Sequence, residues 1–355
     1  MILYILFFLV VLSFLEFDRK LKKINFNSLL FVFIFLFFIS AIRFDVGWDY
    51  VSYYNLIEKN VDYYDSQFMR LELFNRYLIL LSQYLGFTQL FFIITSFIIT
   101  FSFYSTLKKY SADVIISTLL FISLPIFFFS SLSIIRQYTA IGIIFYSFRF
   151  IQARQSFRFI IFLVIAICFH KSAIVAFPLY FLYLWKPQFY FFPIIYIFGF
   201  FSSDILYWSV AKVVPQYLKF LEKSIGVGGD KVLLLFQVIG FLLLFFAHRL
   251  QKRNGDNNFY FLSFFIGLFI WSSLSKYGHA GFRGSLYYIV FFLLLTPNII
   301  AEFKQKVLIR EMTYVVCFSF FLLTLYLGKV NPKKDPNIPY QSFFFKDKFD
   351  FKKIK

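Results

Sequence analysis

Charge is scarce in this 355-residue sequence. Asp, Glu, Lys and Arg make up 15% of it, against roughly 25% in an average soluble domain. Cysteine is nearly absent as well: Cys168 and Cys317 both lie inside apolar runs, which argues against a disulfide framework or a thiolate metal centre. Three histidines sit on separate segments with no carboxylate at ligand spacing, so neither a metal nor any other cofactor is expected. There is no Gly-rich phosphate loop, no CxxC pair and no nucleophile elbow, which leaves the common nucleotide, redox and hydrolase signatures out. No internal repeat and no separate soluble domain is evident.

What the sequence has instead is apolar surface. Hydrophobic residues make up 60% of the chain, sixty of them phenylalanine, and the mean hydropathy is +0.74. The phenylalanine excess is attributed first to an A/T-rich gene. Apolar segments recur at 1–15, 28–42, 71–85, 89–107, 113–131, 133–149, 159–169, 172–185, 189–208, 231–248, 259–275, 284–301 and 312–328. Runs of this length and frequency define an all-α polytopic integral membrane protein. Residues 1–15 lack a basic flank and a small-residue cleavage site, so they are expected to be a retained first span.

The net charge of +18 is scattered through short loops and reads as topology information; no nucleic acid is expected as a partner. Arg19, Lys20, Lys22 and Lys23 put the first loop in the cytoplasm. Lys108 and Lys109, Arg149 to Arg158, Arg249 to Arg253 and Lys304 to Arg310 mark further cytoplasmic loops. The acidic stretch after Arg43 reads as external. Crossing parity then requires 71–85, interrupted by Glu72, Asn75, Arg76 and Gln83, to be an interfacial or re-entrant helix. It also requires 158–186 to be two short helices meeting at His170-Lys171-Ser172. The expected architecture is one transmembrane domain over 1–328, with about twelve spans (range 10–13), followed by a basic tail, 329–355, on the outer side.

With that topology, charges from distant segments share the outer face: Arg43, Asp45 and Asp49; Arg136 with Gln137; His170; and Lys276, His279 and Arg283. Charges at a bilayer edge are costly and mark functional candidates. Arginines facing acidic groups suit a pyrophosphate or another phosphorylated ligand, because guanidinium forks bind phosphate without deprotonating. His170 or an Asp suits the role of general base on a hydroxyl. Each residue also has a plainer reading. Arg136 could anchor a helix at the interface, His170 could be a hydrogen-bonded junction residue, and Arg283 could be a loop residue.

The order of these motifs resembles the EpsG family of bacterial polysaccharide polymerases, which includes many Wzy-type O-antigen polymerases. The matching pieces are Arg43-x-x-Val46-Gly47-x-Asp49-Tyr50-x-x-Tyr53, Ile135-Arg136-Gln137-x-x-Ala140, Ala166-x-x-Phe169-His170-x-Ser172-Ala173, Arg283-x-x-x-Tyr287 and Ile338-Pro339-Tyr340. They cover the chain from about residue 28 to 345, and the departure is a lone Arg283 in a Gly-rich context. The resemblance implies a glycosyltransferase that joins undecaprenyl-pyrophosphate-linked oligosaccharide repeats at the periplasmic face of the inner membrane, most simply in lipopolysaccharide biosynthesis. Arg136 and Arg283 would then hold pyrophosphate, with Arg43 as a third clamp or as a partner orienting Asp49. His170, ahead of Asp49, would be the base. Gln137, Tyr50 and Tyr53 would line the sugar and phosphate site. Partners implied are the lipid-linked oligosaccharides, membrane lipid, a chain-length regulator and a flippase. The competing readings are a lipid-linked oligosaccharide flippase and a capsule or exopolysaccharide polymerase.

Overall fold

A computed structural model describes residues 2–20, 27–58, 66–213, 215, 230–245, 255–277, 279–330, 337 and 340–345. Lys22, Lys23, Arg249, Lys252, Arg253, Ile338, Pro339 and the tail beyond Phe345, all used in the sequence reading, lie outside them. The described helices are α1 (Ile2–Lys20), α2 (Ser28–Ala41), α3 (Tyr50–Glu58), α4 (Ser66–Met69), α5 (Leu73–Tyr84), α6 (Gln89–Tyr110), α7 (Val114–Ser123), α8 (Phe128–Ser133), α9 (Ile135–Gln152), α10 (Ser156–Phe169), α11 (Leu179–Leu182), α12 (Phe191–Phe201), α13 (Ser203–Val213), α14 (Asp230–Leu244), α15 (Gly255–Ser273), α16 (His279–Ile289), α17 (Phe292–Ile300) and α18 (Lys306–Val330). Two two-residue strands, β1 (Arg43–Phe44) and β2 (Gln341–Ser342), pair antiparallel.

Among the described residues, α6 and α18 are long and apolar enough to cross a membrane. The number rises to four if α12 with α13, bent by 70°, and α16 with α17, bent by 55°, each count as one span. Shorter apolar stretches occur in α1, α2, α7, α10, α14 and over Lys171–Leu182. The apolar run 113–131, read from sequence as continuous, is broken. Leu124 precedes Pro125 and is extended, because the proline ring disfavours helical backbone in the residue before it.

The chain forms two compact units. The first holds residues up to Ser147, Ile160–Ala173 and the chain from Thr296. Side-chain bonds give it two ends. At one end the Asn27 side chain caps α2 and meets Tyr104 at 3.1 Å; Asp113 caps α7; and Glu16, Arg19 and Tyr314 bond one another, joining α1 to α18. At the other end Gln89, the first residue of α6, donates to the carbonyls of Ala41 (2.5 Å) and Arg43 (2.9 Å). There too Tyr4 donates to the Asn337 carbonyl at 2.8 Å and Tyr340 to the Ile39 carbonyl at 2.9 Å. The segment around β2 therefore lies on the same end as Arg43.

Helix α5 stays at that second end along its whole length. Its start meets Phe169 through Asn75, at 2.7 Å. Its final turn meets the α3 carbonyl of Leu56 through Gln83, at 2.9 Å. This helix of 12 residues, anchored at both ends to one rim, lies within the stretch 71–85 that the sequence marks off by its polar interruptions. Helix α10 also ends on this rim, and the backbone changes at His170 to a 3-10 turn over Lys171–Ala176. This is the break that the sequence reading places at 170–172.

The second unit holds Phe148–Phe159 and Ile174–Leu295. Asp256, in the first turn of α15, accepts from Gln152 and from Tyr183, each at 2.7 Å. Lys276 pairs with Asp204 at 2.9 Å on the surface of this unit. Arg283 lies on α16, one turn from His279, within the same unit.

Candidate functional site

The site is built on a loop with two residues in left-handed backbone. After α2 the chain passes through Asp45, held at φ +51, and Gly47, held at φ +96. Asp tolerates the left-handed region better than most side chains, and Gly adopts it freely. The backbone N–H of Trp48 donates to Ser133 Oγ at 3.4 Å, so the loop lies against the end of α8. Below the loop is an aromatic and aliphatic cluster that includes Phe44, Tyr50, Tyr53, Phe91, Phe92 and Ile135.

Arg43 is buried, at 1% exposure. Its guanidinium donates to the Ser40 carbonyl and to Ser96 Oγ at 3.1 Å, and lies 5.2 Å from the centre of the Phe92 ring. Burial is the larger influence on its proton affinity and lowers it to about 10, against the opposing effect of Tyr50, Tyr340 and Asp49. It therefore stays charged at neutral pH. In this structure Arg43 ties the loop to α2 and α6, with Asp49 close enough to feel its charge. Tyr50 is enclosed, stacked on Phe92 at 4.2 Å, and its hydroxyl donates to Gln89 at 3.1 Å. Tyr53 stacks on Phe91 at 4.7 Å. Gln137 is buried too. Trp48 is the aromatic that the loop leaves half exposed.

Arg136 and His170, which the sequence reading groups on one face, are brought together here, and a third residue joins them. Glu72 Oε2 lies 2.6 Å from Arg136 Nη1, and Glu72 Oε1 lies 3.1 Å from His170 Nδ1. The same Oε1 accepts the backbone N–H of Lys171 at 3.4 Å. Glu72 is 7% exposed, Arg136 27% and His170 21%, so the carboxylate is covered while the cation and the ring keep part of their surface. Asp49 and Tyr53 complete the surroundings: Arg136 hydrogen-bonds Tyr53, and the charge of Asp49 acts on both. Burial alone would raise the Glu72 carboxyl, but the His170 hydrogen bond and the Arg136 charge outweigh it and hold the group down at about 2. The carboxylate is ionised throughout the physiological range.

Sequence reasoning recognises Glu72 as a charge interrupting an apolar run and assigns it no role. Its position supplies a signal: it occupies the N-cap of α5 yet makes no side-chain cap bond. A carboxylate there normally accepts one of its own helix's free N–H groups, so one turned away has partners elsewhere. Arg283 belongs to the second unit.

Chemically, the cluster offers a guanidinium able to bind a phosphate fork, an imidazole able to take a proton, and a carboxylate that orients both. The family model described as the EpsG family matches residues 26–342. No curated protein and no solved structure gives a match. Since the matched stretch takes in β1, Glu72, Arg136, His170, Arg283 and most of the chain besides, the protein belongs to the EpsG family.

Proposed function

We propose that this protein is a membrane polysaccharide polymerase that joins oligosaccharide repeats carried on undecaprenyl pyrophosphate. Membership of a family associated with Wzy-type polymerases supports the class of reaction. The observation that carries the chemistry is the sharing of one covered carboxylate by a partly exposed arginine and a partly exposed histidine.

In this reading Arg136 binds the pyrophosphate of the lipid-linked growing polymer. The acceptor is a sugar hydroxyl on an incoming repeat. His170 takes the hydroxyl proton as the oxygen forms its bond to the anomeric carbon of the polymer. The bond from that carbon to the pyrophosphate oxygen breaks, and its electron pair leaves with undecaprenyl pyrophosphate. Fixed positive charge beside the leaving group stabilises the charge that develops there, and holding both substrates on one rim supplies orientation. Trp48 offers an aromatic face for a sugar ring. Asp49, Gln137, Tyr50 and Tyr53 support the loop and the arginines, and Arg43 holds the loop from beneath.

The finer proposal is an O-antigen polymerase of lipopolysaccharide biosynthesis in the inner membrane. Its site faces the periplasm, residues 1–328 act as the polymerase domain, and the chain crosses the membrane about twelve times. A flippase upstream and a chain-length regulator are the partners this requires. Deletion of the gene tests the reading through the banding of surface polysaccharide. Collapse of a ladder to core plus one repeat supports it, and Arg136→Ala should fail to restore the ladder while reaching the membrane at normal levels. Loss of every repeat-bearing band would place the protein at a flipping step. A ladder restored in full by Arg136→Ala would remove the phosphate role.

A further inference from the structure

We infer that Glu72 is the positioning residue of this site: it fixes the neutral His170 ring as the Nδ1–H tautomer and so leaves Nε2 as the atom that can accept a proton. The inference deepens the proposed function and rests on it, since it assigns the proton-accepting atom of the base named there.

The geometry leaves one consistent assignment. An ionised carboxylate only accepts hydrogen bonds, and Glu72 Oε1 faces His170 Nδ1 at 3.1 Å. The ring nitrogen must therefore be the donor, and in the neutral ring the other nitrogen carries no proton. The contact is held from several directions. Oε1 also takes the N–H of Lys171 at 3.4 Å, which pins the backbone on the far side of the histidine. Asn75, one turn further along α5, donates to the Phe169 carbonyl at 2.7 Å and pins the near side. The N-cap residue of α5 and a residue of its first turn thus grip the chain immediately before and after His170. Oε2 is occupied by Arg136 at 2.6 Å, which stops the carboxylate from rotating away. The Glu72 carboxylate makes no cap bond to α5, and these partners from other segments turn it away from the helix. It touches no substrate in this scheme and acts through the histidine.

The test is nitrogen NMR of the full-length protein in lipid nanodiscs, with histidine labelled in both ring nitrogens and the His170 signals assigned by their loss in His170→Asn. Recorded on the neutral ring, at a pH where the imidazolium signals have disappeared, the expected wild-type spectrum shows a protonated Nδ1 and a bare Nε2. Glu72→Gln, whose amide can present hydrogen to Nδ1, should move the ring towards the Nε2–H form and reduce polymer formation on the order of 10²-fold or more. Asn75→Ala, which loosens the backbone without touching the ring, should keep the tautomer. A neutral wild-type ring protonated at Nε2 overturns the inference, as does an unchanged tautomer in Glu72→Gln. Should Glu72→Gln fail to fold, the wild-type and Asn75→Ala spectra still decide. The expected tautomer in a protein that forms no polymer would uphold Glu72 as the positioning residue and overturn the polymerase reading instead.

Discussion

A β-carbon on Gly47 would sit 2.0 Å from the carbonyl oxygen of Leu132. No side chain fits there, and at φ +96 none would adopt the backbone without strain. The glycine is what lets the Arg43–Asp49 loop lie against the end of α8, two residues from the start of α9 and three from Arg136. Gly47→Ala should therefore destabilise the protein by on the order of 3 kcal/mol and abolish polymer formation. Gly86→Ala provides the comparison. Its φ of +60 also disfavours a side chain, but nothing lies within 4 Å, so it should cost about 1 kcal/mol. Thermal unfolding in detergent checks both, and equal melting temperatures for the two variants would discard the steric account.

The depressed carboxyl of Glu72 makes stability depend on acid. Its folded value of about 2 lies below the ordinary 4.5, so the folded state favours the ionised form. The stabilisation is complete above about pH 4.5 and is lost as pH falls towards 2. At full extent it is on the order of 3 kcal/mol. The groups facing the carboxylate are Arg136 and His170. In Glu72→Gln the acid sensitivity between pH 4.5 and 2 should shrink by that amount. Parallel melting curves for wild type and Glu72→Gln across this window would refute the assignment.

Much of this arrangement is legible in the amino-acid sequence. The break at His170 follows from crossing parity and basic loops, and a short separate helix within 71–85 follows from Glu72, Asn75, Arg76 and Gln83 interrupting an apolar run. Both inferences work because placing charge in a bilayer is expensive and leaves a visible pattern. What stays hidden is pairing across distance. Glu72 meets Arg136 and His170 across 64 and 98 positions, and no periodicity reports such contacts. Nor does residue type reveal which aromatic rings are enclosed: Tyr50 and Tyr53 are packed on Phe92 and Phe91, while Trp48 in the same loop is half exposed. Pro125 announces the broken helix at Leu124, but the unbroken hydrophobicity around it outweighs one residue.

Sidedness can be measured directly. Lys171 and Trp48 are exposed at the end of the first unit that carries the site, while Lys108 is exposed at the opposite end. Single cysteines at the three positions, in a Cys168→Ser, Cys317→Ser background, should divide accordingly. Lys171→Cys and Trp48→Cys should react with an impermeant maleimide on spheroplasts, and Lys108→Cys only after the membrane is opened. Labelling of 171 and 48 from opposite sides would dismantle the shared site, and labelling of both from the cytoplasm would invert the proposed orientation.

The segment around β2 should be part of the site's foundation. β2 pairs with β1, placing Ser342 opposite Arg43, and the Phe343 N–H donates to the Ile42 carbonyl at 2.7 Å. Tyr340 and Asn337 add bonds to Ile39 and Tyr4. These contacts close over a buried, charged arginine whose loop has little regular structure of its own. A chain stopped after Val330 loses, among the described residues, the β1–β2 pairing and at least three further long-range hydrogen bonds worth about 1 kcal/mol each, and water gains access to Arg43. The truncated protein should therefore be less stable by on the order of 3 kcal/mol, melt lower and lose polymer formation, although Arg136 and His170 are untouched. Tyr340→Phe removes a single bond and should cost about 1 kcal/mol while still polymerising. If the truncated protein keeps both its melting temperature and its ladder, the segment is an appendage and the Arg43 loop stands without it.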